Sequence, residues 1–296
     1  MFDTLVSAVA FGVVLASVIA IASMGFTIQF GLTNMLNLAY GGVMTAAGYV
    51  AFIMVSHGIS AWYGLFVGGL FGAVLTLVMG VYVFRPYAKR GAKLFEMMMV
   101  TLGLGLVIDY GLQALTHDNI DQFTVLQAAP LHLGPVIITP TQAILTALGL
   151  VVFIALEMLL RLTRIGKALR ATAAEPTLAR SCGIRTRRVV TVTWLLSGFL
   201  CGLSGVVYAI STQSIGYSSG ELFLPLVIAA ALLGGAGSPL GAVLAALVMG
   251  IVTQLVSAFG APAYSQVAGF AVLVVVLLAR PGAVASHGSA EAQVTV

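Results

Sequence analysis

Ionisable side chains inside apolar segments are the first candidates for chemistry in this sequence. Asp109 lies within the apolar run of residues 94–115, whereas Glu157 stands four residues before Arg161 and so has an ion-pair partner on a helix. A charge at the centre of a bilayer costs about 2.5–3.5 kcal/mol on insertion scales, and such a residue usually serves a transport pathway. Asp109 therefore either lines a polar cavity or lies near the outer membrane interface, where the cost is smaller.

Groups for catalysis or metal binding do not occur at useful spacing. The sequence shows no nucleophile–base pair and no paired carboxylates. Cys182 and Cys201 offer neither a disulfide framework nor a metal-ligand pattern. A phosphate-binding G-x-x-x-x-G-K-[ST] motif is also missing. We therefore expect a non-catalytic chain that itself binds no cofactor and no metal.

Two apolar regions are interrupted by polar residues or glycines, namely residues 29–42, QFGLTNMLNLAYGG, and residues 234–241, GGAGSPLG. A broken helix exposes backbone amides and carbonyls at membrane depth, which is tolerated only where they face protein or a watery cavity. The interruptions therefore predict a solute path, although the second could equally be an interhelical turn. The candidate path residues are Gln29, Asn34, Asn37, Tyr40, Asp109, Gly234, Gly235 and Gly237.

The elements that must position these residues are membrane helices. Hydrophobic residues make up 60% of the 296 positions and charged residues 7%, whereas a soluble domain has about 25% charged residues. One crossing takes about 20 residues, and the apolar runs here are continuous. We predict an all-α polytopic membrane protein with about eight to nine transmembrane helices and short broken or re-entrant segments.

The predicted spans are residues 5–28, 38–56, 60–84, 94–115, 141–160, 189–210, 222–233, 240–258 and 264–279. The segment 222–233 is short enough to be re-entrant or broken. The first segment lacks a basic region before it, so we expect it to be kept as a span and not cleaved as a signal peptide. Small residues spaced by four predict close helix packing; they are Gly64, Gly68 and Gly72, and again Gly198 and Gly202.

The basic residues predict the orientation in the membrane. Twelve of the 13 Lys and Arg residues fall in segments 85–93 and 161–188, and such an excess is typical of cytoplasmic loops. Residues 117–139 and 211–221 have no Lys or Arg, so they are expected outside. Residues 1–281 then form one transmembrane domain with a cytoplasmic loop at 161–188, and 282–296 form a disordered cytoplasmic tail. Because topology explains the net charge of +4, we expect lipid contact and no nucleic-acid partner.

The loop RIGKALRATAAEPTLARSCGIRTRRV has a pattern of its own. Residues 167–174 are strong helix formers, and the residue before Pro176 is pushed out of the helical region. Pro176 can open a second short helix that Gly183 ends. This helix–break–helix is too polar to enter lipid, and we predict that it docks a cytoplasmic partner.

The same loop, with G-K-A-L-R-A, E-P and G-I-R-T-R-R-V, resembles the coupling loop of permeases in the branched-chain amino acid class of ABC importers. The run GFTIQFGLTNMLNLAYGGVMTAAGYVAF and the segments FLCGLSGVVYAI and LPLVIAAALLGGAGSPLGAVLAALVMG are similar to that family's early and late helices. The likeness covers about residues 8–280. The chain departs from the pattern at Tyr40 and Gly42, where members often carry His and an acid.

The resemblance implies a multi-pass subunit of a bacterial inner membrane with a cytoplasmic C-terminus. It implies a like or unlike second permease, two ATP-binding subunits that hold ATP and Mg, and a periplasmic or lipid-anchored solute-binding protein. The solute would be a branched-chain or related small amino acid, an amide or urea. The alternative is an ion-coupled transporter or channel that acts alone through Asp109. The implied coupling element is Gly166, Lys167, Arg170, Ala171, Glu175, Pro176, Ala179 and Gly183.

Overall fold

The computed structural model describes residues 2–116, 121–123, 131–133, 136–235, 237–260 and 264–279. The predicted disordered tail, 282–296, and Arg280 lie outside these residues. In chain order the helices are α1 Phe2–Thr33, α2 Tyr40–Ser56, α3 Ala61–Val78, a π-helical segment Met79–Phe84, α4 Arg85–Lys89, α5 Leu94–Thr116, α6 Pro140–Leu162, α7 Arg164–Ala174, α8 Pro176–Ser181, α9 Thr186–Thr212, α10 Ser219–Gly234, α11 Pro239–Phe259 and α12 Ser265–Ala279. The strands are β1 Asp121–Gln122, β2 Leu131–Leu133, β3 Val136–Ile138 and β4 Ser214–Ile215.

Within the described ranges, 6 helical stretches are long and apolar enough to cross a membrane: Thr4–Thr33, Ala61–Ala88, Leu94–Thr116, Pro140–Leu162, Thr186–Thr212 and Pro239–Phe259. Two shorter apolar helices, α2 and α10, add to them. Helix α12, with 15 residues, is also apolar. The predicted all-α polytopic fold is therefore confirmed.

Glycines bring α3 and α9 into close contact, as their spacing predicts. A Cβ added at Gly198 would lie 2.6 Å from the carbonyl oxygen of Gly72, and one at Gly72 would lie 2.8 Å from Cα of Gly202. In lipid the hydrophobic effect does not drive helices together. Close approach of the two backbones therefore stabilises the pair through dispersion contacts. Helices α1 and α11 meet in the same way, since a Cβ at Gly250 would lie 2.6 Å from the oxygen of Gly12.

The bundle has two chemically distinct ends. At one, which we call the basic end, Nη2 of Arg85 donates a 2.5 Å hydrogen bond to Oγ1 of Thr191. Thr191 lies in the second turn of α9, which begins at the end of the second basic segment, so the two segments lie at the same end of the bundle. At the other, which we call the opposite end, β1 pairs antiparallel with β4, and the amide of Phe123 donates to the oxygen of Gln213 at 2.9 Å. The two segments expected outside are therefore hydrogen-bonded to each other. Strands β2 and β3 form a hairpin.

Candidate functional site

The break between α1 and α2 is shorter than the sequence predicts. Helix α1 continues to Thr33, so the expected break at residue 29 is wrong and Gln29 is helical. Asn34 ends the helix in the left-handed region, with φ of 51°, which Asn adopts more readily than most residues. The irregular segment is therefore residues 34–39, which we call the break.

Helix α5 holds the break inside the protein. The amide of Leu38 donates to Oγ1 of Thr101 at 3.1 Å. The hydroxyl of Thr101 lies 2.7 Å from the oxygen of Met98 on α5 and 3.3 Å from the oxygen of Leu36, so it lies between the two backbones. Thr101 lies seven residues into α5, or about 10 Å from its start. The non-helical backbone thus lies at membrane depth against a neighbouring helix, as such backbone must. Thr101 is a site residue that the sequence did not indicate.

Buried polar atoms without partners surround the break. Asn37 is 1% exposed, and within the described residues neither Oδ1 nor Nδ2 of its side chain has a hydrogen-bond partner. Asp109 is 4% exposed, and its Oδ1 also lacks a partner there. This oxygen lies 3.2 Å from where a Cβ of Gly42 would stand. Asp109 therefore points from α5 to the start of α2 and away from lipid.

Gln29 on α1 faces α9, and Tyr40 at the start of α2 faces α1. Oε1 of Gln29 accepts a 2.9 Å hydrogen bond from Oγ of Ser197, and its Nε2 has no partner in the described part of the chain. The hydroxyl of Tyr40 donates to the oxygen of Ala22 at 2.9 Å, and its ring meets Phe26 edge-on at 5.5 Å. Tyr40 is thus fixed in the core, and Ser197 is a second residue that the sequence did not indicate.

The glycine segment after α10 is an interhelical turn, which was one of the two interpretations of its sequence. Gly235 and Gly237 have φ of 88° and 78°, where a Cβ would be strained. Oγ1 of Thr27 donates to the oxygen of Gly235 at 3.1 Å and accepts from the amide of Gly237 at 3.1 Å. Helix α11 then begins after Ser238, whose side chain caps it. The candidate path residues therefore do not form one group. Two of them lie in the break, the glycines lie at this turn, and Gln29, Tyr40 and Asp109 lie on the neighbouring helices α1, α2 and α5.

The basic loop forms the predicted helix–break–helix, α7 and α8. Oγ1 of Thr163 caps α7 by accepting from the amide of Gly166 at 3.1 Å. Glu175 is extended, with φ of −152° and ψ of 99°, because Pro176 follows it. Gly183 has φ of 82° and ends the second helix as predicted.

The proposed coupling residues divide by exposure. Gly166 and Ala179 are buried, and Pro176 is half-buried, so these three fix the loop to the bundle. The exposed members are Lys167, Arg170, Ala171, Glu175 and Gly183. Leu178 on α8 is 63% exposed, and it gives the loop an apolar contact point.

A cavity of about 370 Å³ lies between α7 and the neighbouring elements of the basic end. It is lined by the end of α1, the end of α6 and the α10–α11 turn, and it includes Arg161, Arg170 and Gly237. Arg161 forms an ion pair with Glu157. The described residues contain no group of three or more His, Cys, Asp or Glu side chains that could hold a metal ion.

A family model described as "Branched-chain amino acid transport system / permease component" matches residues 8–277. The chain belongs to this family. The permease is 28% identical to the high-affinity branched-chain amino acid transport system permease protein LivH of Escherichia coli K12, over 91% of this chain and 92% of that protein. It is 26% identical to the corresponding permease protein BraD of Pseudomonas aeruginosa, over 91% and 92%.

One solved structure shares the fold of this permease. It is a chain of PsaBC from Streptococcus pneumoniae in complex with Fab, with a TM-score of 0.50, 16% identity and 90% of each chain covered. At 16% identity this similarity supports only the helical architecture. The family expected from the sequence motifs is confirmed by the family model and the two relatives.

Proposed function

We propose that this permease is one of two membrane subunits of an ABC importer for branched-chain or related small amino acids. The observation that carries the proposal is the family match across residues 8–277, together with relatives whose names specify branched-chain amino acid transport. The same relatives do not favour the alternative of an ion-coupled transporter acting alone. The importer would lie in a bacterial inner membrane with the basic end in the cytoplasm.

Transport energy comes from other subunits in this proposal. The sequence has no phosphate-binding loop, so two ATP-binding subunits would hold ATP and Mg and hydrolyse the nucleotide. Their docking surface is the exposed side of α7 and α8, which carries Lys167, Arg170 and Glu175 together with the exposed Leu178. A solute-binding protein would deliver its cargo at the opposite end, and a second like or unlike permease would complete the path.

In this proposal, movement of the ATP-binding subunits reaches the membrane helices through the contact between α7 and α6. A Cβ at Gly166 would lie 2.5 Å from both Cα and the carbonyl carbon of Leu160, so α7 packs directly on the backbone of α6. A displacement of α7 by the ATP-binding subunits therefore moves α6 and the cavity walls with it. Since packed interfaces switch between discrete arrangements, this movement would bias the path between outward and inward access.

The Gly166→Ala variant tests this coupling. Ordinary contact begins at 3.4 Å, so the two carbon atoms at 2.5 Å alone require a shift of about 0.9 Å, and the carbonyl oxygen of Leu160 would lie closer still. The added Cβ must therefore move α7 by more than about 0.9 Å, and we expect ATP-driven uptake to fall by roughly 100-fold, as for misplaced positioning groups. The measurement is uptake of labelled leucine by the reconstituted complex in proteoliposomes. Gly103→Ala is the matched control, because its Cβ would meet no atom within 4 Å. Normal uptake by a variant that combines Gly166→Ala with Arg170→Ala would refute the coupling role.

A further inference from the structure

We propose that the cavity at the basic end binds the phosphate group of an anionic phospholipid from the surrounding bilayer. Such a site would serve the permease whatever solute it carries, so it goes beyond the proposed function. Three features of the described residues support it: the positive charge of the cavity wall, the depth of the cavity in the membrane, and the apolar surface that leads away from it.

Two arginines give the cavity a net positive charge. Arg161 and Arg170 line it, and Glu157 is the one acid among the described residues in its wall. Nε of Arg161 donates to Oε1 of Glu157, and the guanidinium keeps further N–H donors on its terminal nitrogens. Arg170 forms no ion pair with any described carboxylate. Because a guanidinium matches the oxygens of a phosphate with paired hydrogen bonds, these arginines favour a phosphate ligand.

The start of α11 adds to the positive potential. Gly237 and Ser238 before this helix, and Pro239 and Leu240 in its first turn, line the same cavity. The N-terminus of an α-helix carries a partial positive charge and stabilises anions. Arg170 on α7 and the start of α11 therefore act on one space, and an anion placed there interacts with both.

The lengths of α6 and α11 give the depth of the cavity. Helix α6 has 23 residues and α11 has 21, or about 34 and 32 Å, close to the roughly 30 Å of the hydrocarbon layer. Each helix therefore needs nearly its whole length to cross. Arg161 is the last residue but one of α6, and Pro239 is the first residue of α11. Both line the cavity, so it lies at the level of the lipid headgroups.

Helices α6 and α11 are neighbours on the surface of α1. A Cβ at Gly149 of α6 would lie 3.0 Å from Cβ of Ser17, and one at Gly250 of α11 would lie 2.8 Å from Cβ of Ala16. The two helices therefore pack against the same turn of α1. Their ends at the basic side both line the cavity. A lipid whose phosphate occupies the cavity thus lies along the α6–α11 side of the bundle.

An apolar surface leads from the cavity into the hydrocarbon layer. Leu240 lines the cavity and is 42% exposed. Leu244 and Val248 follow it on the same face of α11 and are also exposed. On α6, Ile154 and Met158 precede the cavity and are exposed as well. A soluble phosphate gains nothing from these side chains, whereas the acyl chains of a lipid make dispersion contacts with them.

The test uses the permease purified from the membrane with the subunits that accompany it, so that any neighbour that covers the cavity is present. Native mass spectrometry measures the binding of phosphatidylglycerol and of phosphatidylcholine, whose headgroup has no net charge. The parent should bind phosphatidylglycerol more tightly. Arg161→Gln should weaken this binding about fivefold, the contribution of one basic residue near a membrane surface, and Arg161→Gln with Arg170→Gln about 25-fold. Arg164→Gln is the matched control, since Arg164 is exposed and lies outside the cavity wall; its binding should stay within about twofold of the parent.

A second pair of variants changes the space in the cavity and not its charge. Ala173 lines the cavity and is half-buried, so Ala173→Trp should fill it and weaken phosphatidylglycerol binding at least as much as Arg161→Gln does. Ala174→Trp is the matched control, because Ala174 is exposed and lies outside the wall. The mass of each assembly in the same spectrum shows that the variant is folded and complete.

Three results would overturn the lipid site. The first is equal affinity of the parent for the two lipids. The second is equal binding by the members of either matched pair, which would indicate attraction to surface charge in general. The third is displacement of phosphatidylglycerol by an equal concentration of glycerol 3-phosphate, which carries the phosphate without acyl chains and would assign the cavity to a soluble anion. Uptake does not enter these measurements, so they are independent of the proposed function.

Discussion

Replacing Gly198 by alanine tests whether backbone contact between α3 and α9 holds the bundle together. The new Cβ would lie 2.6 Å from the oxygen of Gly72, whereas ordinary contact begins at 3.4 Å, so the helices must separate by about 0.8 Å. Thr76 cannot relieve the clash freely. Its Oγ1 lies 2.5 Å from the same Cβ position, and it already donates a 2.6 Å hydrogen bond to the oxygen of Gly72.

The separation sets the size of the effect. A gap of 0.5–1 Å forfeits about a quarter to a half of the dispersion energy of each contact, and overpacking of this kind typically costs about 1–3 kcal/mol. Dispersion and hydrogen bonding are the main attractions between helices in lipid. We therefore expect Gly198→Ala to lower the ratio of folded to unfolded protein by about 5- to 150-fold.

The assay is SDS-induced unfolding in mixed micelles, followed by circular dichroism. Gly198→Ala should unfold at a clearly lower SDS fraction than the parent. The matched variant Gly103→Ala, whose Cβ meets no atom within 4 Å, should unfold at the parent's midpoint or slightly above it. Equal midpoints for the two variants would show that α3 and α9 are not in backbone contact.

Three further outcomes follow from residues described above. Thr27→Val removes the hydroxyl that bonds both sides of the α10–α11 turn, so the same unfolding assay should show a loss of about 1–3 kcal/mol; an unchanged midpoint would argue against that bond. Asn34, with φ of 51°, should accept glycine but lose about 1–2 kcal/mol as Asn34→Val, and equal stability of the two variants would contradict the left-handed backbone. Cys182 is exposed and Cys201 is buried, so a membrane-impermeant maleimide should label only Cys182 and only in inside-out vesicles; labelling in intact cells would reverse the proposed orientation.

Composition and periodicity were enough to predict the helices because each span is a continuous apolar run. The loop at 161–188 was also predictable, since Pro176 and Gly183 act through local backbone geometry that needs no tertiary context. The contact between α3 and α9 followed from glycine spacing. The family could be identified from motifs in that loop and in the early and late helices.

Features that depend on distant partners were not predictable. Gln29 suggested a break, but α1 continues through it, and its side-chain oxygen accepts a hydrogen bond from Ser197, 168 residues away. Thr101 and Thr27 look unremarkable in the sequence, yet each holds an irregular segment in place. The glycine segment after α10 could be assigned as a turn only once Thr27 was seen to bridge it. Burial of Asp109 against Gly42 likewise joins two helices whose facing sides the sequence does not specify.

Helix α1 is longer than the membrane is thick. Its apolar stretch Thr4–Thr33 has 30 residues, or about 45 Å, against a hydrocarbon layer of about 30 Å. Tilting alone would need an angle of about 48°, beyond the usual range of 0–40°. Its first turns, with Leu5 45% and Phe11 37% exposed, must therefore thicken the surrounding bilayer or enter the headgroups. Hydrophobic mismatch at these turns would act on the same helix that contacts the break, the α10–α11 turn and α7, so we expect uptake by this permease to depend on lipid chain length.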